Sequence, residues 1–232
     1  YRYVKLALSL MKKIPSRAHD GSAIFWASHI RLYFEPMQST IECYLDAYIA
    51  SLKSGNPFAL TASYVYHNYC FWSGKELNVV VVAMKDAMKE MKYLKQSLVL
   101  TLMMPMFQIT LRLVGQSAAP AQQEQQGSPS NNFDFDESFN DGESENPSQF
   151  ATQLHHVYFV KLSEALIFRE INKATYAAEK YFSLDDSLGS DFAVSSQNMF
   201  CKRFYSGLVS FWLAREMNAD KKQSKKWIKR GV

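Results

Sequence analysis

Apolar residues recur every three or four positions along most of the chain, with polar residues between them, which is the pattern of amphipathic helices. The first stretch shows this spacing at Tyr3, Leu6, Leu10 and Met11. A run of four valines at 79–82 would suit a strand by itself, but the helical period continues beyond it, and length favours a helix. The pattern predicts helices over 1–13, 17–34, 37–53, 58–72, 76–93, 97–114, 150–169, 172–182, 192–215 and 218–229.

Short turns rich in Pro, Gly and Ser separate these helices, and Pro105 is predicted to kink the helix that contains it. Four helix–turn–helix pairs of about 33 to 38 residues follow, over 17–53, 58–93, 150–182 and 192–229. A period in the thirties with two helices per unit is typical of tetratricopeptide-type repeats, although the strict consensus is absent here. The sequence therefore predicts an all-α fold, a right-handed superhelix of antiparallel helix pairs.

One segment differs from the rest of the chain in composition. Residues 115–149 contain seven acidic residues and no Lys or Arg, and they lack Leu, Ile, Val and Met. Such a stretch buries too little apolar area to offset the ordering entropy of the backbone, so we predict a disordered acidic insert. It divides the helical array into N-terminal repeats over 1–114 and C-terminal repeats over 150–232. The alternation of aromatic and acidic residues at 133–139 indicates either a linear binding motif or a tolerated loop insertion.

Lysines are concentrated near the C-terminal end of the chain, where Trp227 and Ile228 interrupt them. Most of them share one side of the predicted helix because they are four residues apart. This cluster is a candidate anion-binding surface for nucleic acid or a membrane surface, and the alternative that we favour is a solvated face of the last helix. Its members are Lys221, Lys222, Lys225, Lys226 and Lys229.

Aromatic residues are dense in the predicted helix over 58–72. Tyr64, Tyr66, Tyr69 and Trp72 are candidates for a partner-binding groove, because Tyr and Trp are favoured where proteins bind one another. The alternative is that they pack between repeats, as aromatic residues at helical spacing usually do. The run has aromatic residues on nearly all sides of the helix, so we expect some of them to be exposed.

Motifs of catalysis are not recognisable in the sequence. Gly74-Lys75 is followed by Glu, so it lacks the spacing of a phosphate-binding loop. His155 and His156 are adjacent, and neighbouring helical residues point about 100° apart, which does not suit one metal ion. We therefore predict no catalytic residue, no cofactor and no metal site.

Cysteine and hydropathy patterns bear on the location of the protein. Cys43, Cys70 and Cys201 are far apart and odd in number, so we expect buried free thiols in a reducing compartment and a cytoplasmic location. No apolar run approaches the roughly 20 residues of a membrane-spanning helix. The chain starts at Tyr1 within a helical pattern, so we expect the N-terminus to be truncated.

Short stretches in most of the chain outside 115–149 carry a shared pattern. They are Lys5-Leu6-Ala7-Leu8-Ser9-Leu10, His29 with Phe34-Glu35-Pro36, Ser54-Gly55-Asn56, Ala62-Ser63-Tyr64, Tyr69-Cys70-Phe71, Ser73-Gly74-Lys75-Glu76-Leu77, Leu94-Lys95-Gln96 and Gly189-Ser190-Asp191-Phe192. These stretches resemble the helical-repeat segment of large signalling ATPases of the STAND class. In that family a kinase-like region and a P-loop ATPase precede the repeats, and a GAF sensor and often a histidine kinase or nucleotide cyclase follow.

The resemblance implies a non-catalytic module for protein–protein or interdomain interaction. In a larger protein it would couple an ATPase module to a signalling output. Two alternatives remain: a stand-alone peptide-binding scaffold, and a nucleic-acid-binding helical repeat. The second requires basic residues along one inner face, whereas here they cluster at one end of the chain.

Overall fold

The prediction of an all-α fold is confirmed. The computed structural model describes residues 1–11, 13, 18–56, 58–116, 147–188, 199–218 and 220–231, and these residues form ten helices and no strand. The predicted disordered insert lies outside the described residues except at its two ends. In chain order the helices are α1 Arg2–Met11, α2 Asp20–Arg31, α3 Met37–Lys53, α4 Phe58–Trp72, α5 Leu77–Tyr93, α6 Ser97–Leu113, α7 Pro147–Ile167, α8 Ile171–Leu188, α9 Met199–Glu216 and α10 Lys221–Gly231.

The chain divides into two compact units, Tyr1–Thr110 and Leu111–Val232. In the first unit each of α2 to α4 packs against the helix that follows it in sequence. Its core is aromatic: the ring centroids of Phe25 and Tyr44 are 5.5 Å apart, and those of Tyr44 and Tyr69 are 5.2 Å apart. Methionines on α5 and α6 continue this core, and Pro105 is buried within α6. The kink expected at Pro105 stays a prediction.

The close packing of α2 on α3 depends on Gly21 in the first turn of α2. A Cβ atom at this position would lie 1.9 Å from Ser51 Oγ, 2.7 Å from the Ser51 backbone nitrogen and 2.9 Å from the Ala47 carbonyl oxygen. Only a residue without a side chain allows the two backbones to approach this closely.

The first helix leaves much of its apolar face exposed. Tyr3 is 85% exposed, and Leu6 and Leu10 also lie at the surface, whereas Val4 is buried where α1 packs on α2. The helix that the apolar stripe predicts is therefore present, but Tyr3, Leu6 and Leu10 of that stripe are not part of the core.

Buried histidines lie in both units, and burial lowers the pKa of His29 to about 4 and also lowers the pKa values of His67 and His155. His67 donates a hydrogen bond through Nδ1 to the Ser63 carbonyl oxygen at 2.7 Å. The Tyr44 hydroxyl lies 3.0 Å from His29 Nδ1. The His29 ring is therefore neutral in the folded chain, even at mildly acidic pH.

The histidine pKa values predict a loss of stability in mild acid. Below pH 6.5 the histidines of the unfolded chain bind protons that those of the folded chain do not, so the free energy of unfolding decreases as the pH is lowered. For His29 alone we expect a decrease of about 2 kcal/mol between pH 6.5 and 5. Urea unfolding at these two pH values measures it, and His29→Gln should reduce the pH dependence. An unchanged slope in that variant would contradict the prediction.

Five of the described helices end in the same backbone turn, in which the second residue after the helix has a positive φ. The amide of the next residue then donates to the carbonyl oxygen five positions earlier, at 2.9 to 3.2 Å. Glycine is the usual residue at such a position because a Cβ atom is disfavoured there. Three of the turns carry glycine and two carry a basic residue: Gly55, Gly74, Lys95, Gly115 and Arg169.

The turn after α5 predicts a stabilising substitution. Lys95 is exposed and has a φ of 55°, so Lys95→Gly should raise the free energy of unfolding by about 1 kcal/mol. The matched control is Lys92→Gly, which removes the same charge from the last turn of α5 and should lower stability by about 1 kcal/mol. Thermal unfolding of both variants provides the measurement. Equal destabilisation by both would contradict the prediction.

Candidate functional site

A surface groove of about 560 Å³ runs along α9 in the second unit. We name it the α9 groove. Its lining combines one face of α9 with the C-terminal end of α7, which packs on α9. The lining residues are Leu166, Ile167, Arg169, Tyr205, Leu208, Phe211, Trp212 and Arg215.

The floor of the α9 groove is apolar and open. Its α9 residues share one face because they are three or four positions apart on a helix. Leu208 is 45% exposed and Phe211 is 48% exposed, whereas Trp212 and Leu166 are buried below them. Ile167 adds a further exposed apolar side chain from α7. These apolar residues thus lie together at the surface. Gly231 of α10 packs against one side of the Phe211 ring, where an added Cβ atom would lie 3.0 Å from the ring, and about half of Phe211 stays exposed.

Arg169 contributes a guanidinium group to the groove from the turn after α7. Its φ of 59° places it in the left-handed region, and its guanidinium carbon lies 5.7 Å from the centroid of the Trp212 ring. Arg112, whose guanidinium lies 4.0 Å from the Phe168 ring centroid, forms ion pairs with Glu164 and Glu170. These contacts hold the turn, and the Trp212 ring limits the directions in which Arg169 can point.

The electrostatic character of the α9 groove is positive. Arg215 is the second cation; its side chain is 75% exposed and makes a surface ion pair of 3.1 Å with Glu216. None of the described residues that line the groove is acidic. Arginine pairs favourably with carboxylates and phosphates through its planar fork of donors. The groove can therefore bind a ligand that combines apolar and anionic groups.

The lysine cluster that the sequence indicates lies on α10, and all five of its lysines are exposed. Buried Trp227 anchors this helix, and the Ser224 hydroxyl donates to the Ala214 carbonyl oxygen at 3.0 Å. Lys226 forms an ion pair of 2.9 Å with Glu179. Within the described part of the chain, the other four lysines have no ion-pair partner, and anion binding by this surface stays a prediction. Those four are Lys221, Lys222, Lys225 and Lys229.

The aromatic residues proposed for partner binding lie on α4 with different exposures. Tyr64 is 6% exposed and Tyr69 is 2% exposed, so both side chains are part of the core of the first unit. The Tyr64 hydroxyl accepts a hydrogen bond of 3.1 Å from Asn68. Tyr66 and Trp72 are half-buried. Partner binding by α4 stays a prediction, and these two residues are the ones placed to take part in it.

A buried cluster of titratable groups joins α7, α8 and α9. Lys202 Nζ lies 3.4 Å from His155 Nδ1, and His155 Nε2 lies 3.4 Å from Asp185 Oδ1. The Tyr181 ring stacks on His155 with centroids 4.4 Å apart. Burial lowers the pKa of the Lys202 amine to about 8, which makes it more nucleophilic than an ordinary lysine at neutral pH. The cluster does not line the α9 groove, and its described contacts are those of core packing.

The described residues form neither a metal site nor a membrane-spanning helix. These contain no group of three or more His, Cys, Asp or Glu side chains that could hold a metal ion. The three cysteines are free thiols, of which Cys70 is buried and the others are half-buried. Among the described helices, none combines the length and the apolar character needed to cross a membrane.

Comparison with known proteins yields no relative: no protein-family model, no curated protein and no solved structure matches the chain. The sequence reasoning did not identify the α9 groove, because its two sides come from segments separated by the α8 helix. The sequence contains only a weak local indication of the groove, which is an arginine, Arg169, at a position after a helix where glycine is usual.

Proposed function

We propose that the chain is a non-catalytic helical-repeat module that mediates protein–protein or interdomain interaction, with the α9 groove as its contact surface. The observation that carries this proposal is the exposed apolar floor formed by Ile167, Leu208 and Phe211, with arginines beside it. Contiguous exposed apolar surface rimmed by polar groups is typical of binding sites. Aromatic and arginine side chains are also the ones enriched at binding hot spots.

The repeat architecture belongs to the same proposal. From α1 to α5 and from α7 to α10, each helix packs against the one that follows it in sequence, and turns of a few residues connect many of these helices, which favours antiparallel pairs. Gly55 and Lys95, which end α3 and α5, are 40 residues apart. This spacing is longer than the 34 residues of a tetratricopeptide repeat and falls in the range of other two-helix repeats. We propose that each unit is part of a right-handed superhelix of such pairs.

Selection of peptides from a random display library on the purified chain tests this function. Leu208→Glu places a charge on the floor of the groove and should abolish capture of the selected peptides. Phe204→Glu is the matched control, because Phe204 is an exposed apolar residue of α9 that does not line the groove. Loss of capture in Leu208→Glu alone supports the proposal. Equal capture by both variants, or no selected peptide, would contradict the groove as the contact surface.

A more specific proposal is that the module couples an ATPase to a histidine kinase or cyclase output in a larger cytoplasmic signalling protein. It rests on the sequence resemblance to STAND-class ATPases alone. The reading frame that encodes the chain provides the test. A phosphate-binding loop upstream and a kinase or cyclase downstream would support coupling. A start codon directly before Tyr1 and a stop codon directly after Val232 would exclude it and leave the stand-alone scaffold.

A further inference from the structure

We infer that the occupant of the α9 groove is an acidic peptide segment of a partner protein, with aromatic or aliphatic side chains that enter the apolar floor. This inference rests on the proposed function and specifies its partner. Three features of the groove carry it: its length and openness, its two guanidinium groups, and the position of Arg169 beside the Trp212 ring.

The length and openness of the groove suit a linear chain. Its lining extends from Tyr205 to Arg215 on α9, which corresponds to about 15 Å along the helix axis. This length matches about three turns of a bound helix, or four to five extended residues. Sites for small molecules usually enclose most of the ligand surface, whereas the floor residues here are nearly half exposed. An amphipathic peptide that covers the floor from above fits this geometry.

The charges of the groove select an acidic partner. Arg169 and Arg215 are both lining residues, and no acidic residue is among the described lining; Arg215 forms a surface ion pair with Glu216, which lies outside the lining. Carboxylates accept paired hydrogen bonds from the fork of an arginine, and such charge-assisted bonds are stronger than neutral ones. A basic peptide would instead bring like charges together above a low-dielectric apolar floor. Charge complementarity thus indicates Asp or Glu side chains beside the apolar anchors.

Arg169 is the residue best placed to recognise such a partner. Its exposed guanidinium lies 5.7 Å from the centroid of the Trp212 ring, a cation–π contact that favours this position before any ligand binds and so lowers the entropy lost when it pairs with a carboxylate. Its backbone adopts the left-handed conformation that glycine adopts after α3, α4 and α6. A side chain is present at this turn despite the conformational cost, and that side chain lines the groove. Lys95 has the same backbone conformation in the other unit and does not line the groove.

Fluorescence anisotropy with a defined probe tests the inference. The probe is a labelled peptide of about three helical turns, built from Glu, Leu and Phe with the apolar residues on one face. Arg169→Gly should weaken its binding by about ten-fold or more, since one charge-assisted contact is lost. Lys95→Gly is the matched control: it removes the same charge from the same kind of turn and should change affinity by less than about two-fold. The same peptide with Gln in place of Glu should bind the native chain as weakly as the acidic probe binds the Arg169→Gly variant.

The outcomes separate this inference from the function on which it rests. Peptides whose capture depends on Leu208 but which are neutral or basic would overturn the acidic partner and leave the binding module intact. Equal loss of affinity in Arg169→Gly and Lys95→Gly would show that affinity depends on the net charge of the chain and not on the position of Arg169, and it would overturn the inference. Sedimentation of a dimer that Arg169→Gly dissociates would assign the groove to a second copy instead. Binding to phosphatidylserine vesicles, but not to the acidic peptide, would assign it to a membrane surface.

Discussion

Gly21→Ala is expected to lower the free energy of unfolding by about 3 kcal/mol, which is a large effect for a single methyl group. The added Cβ atom would lie 2.7 Å from the backbone nitrogen of Ser51 and 2.9 Å from the carbonyl oxygen of Ala47. Backbone atoms cannot rotate away, so α2 and α3 must separate and the aromatic contacts between them must loosen. Urea unfolding followed by circular dichroism measures the change.

Gly207→Ala is the matched control for this prediction. Gly207 also lies within a helix, but its added Cβ atom would meet only the Gly231 carbonyl oxygen, at an ordinary contact distance of 3.6 Å. Alanine is the better helix former, so we expect this variant to gain up to about 1 kcal/mol. Ser51→Ala in the Gly21→Ala background should restore stability only in part, because the backbone contact remains. A Gly21→Ala variant as stable as the native chain would contradict the close approach of α2 and α3.

Lys202→Met is expected to stabilise the second unit by about 3 kcal/mol at pH 7. Lys202 is 6% exposed as a residue, and the pKa of its amine, about 8, means that the amine is mostly protonated at neutral pH in a site that disfavours its charge. The nearby Asp185 carboxylate offsets only part of this penalty. Methionine keeps the length of the side chain and removes the buried charge, so the free energy of unfolding should rise.

The pH dependence provides a second measurement on the same residue. Unfolded lysine titrates near pH 10.5, so between pH 8 and 10.5 the unfolded chain binds more protons than the folded chain does, and native stability rises with pH. The advantage of Lys202→Met should therefore shrink between pH 8 and 9.5, before the buried tyrosines titrate. Lys222→Met, at an exposed position of α10, should change stability by less than about 0.5 kcal/mol. A pH-independent advantage, or destabilisation by Lys202→Met, would contradict the account.

Helix positions were predictable where the apolar period and the turn residues agree. Met37–Lys53 and Phe58–Trp72 begin and end as the sequence predicts, because Pro and Gly mark their boundaries. The α8 helix was predicted to end at residue 182 but continues to Leu188. The last turns of α8 are mostly polar, so the spacing of apolar residues predicts a loop there. Tertiary contacts stabilise them instead, since Asp185 faces His155 and Asp186 pairs with Arg230.

The candidate binding residues were harder to predict than the helices. Aromatic density on α4 does not distinguish core from surface, and Tyr64 and Tyr69 lie on the buried side. The α9 groove depends on Arg169 and Trp212, which are distant in sequence and meet only through the packing of α7 on α9. Periodicity describes each helix separately and contains no information on which two helix faces meet.

The shared turn at the helix ends gives this fold a set of exchangeable surface positions. A Cβ atom added at Gly55, Gly74 or Gly115 would meet no atom within 4 Å, so what opposes it is the left-handed backbone, at about 1 kcal/mol for each substitution. New charges or aromatic rings can therefore be introduced one turn at a time without repacking the core. Arg169 occupies the same kind of position, where a small cost in stability accompanies a charged side chain at the surface. Substitutions at these turns can therefore change the surface chemistry while the helices stay unchanged.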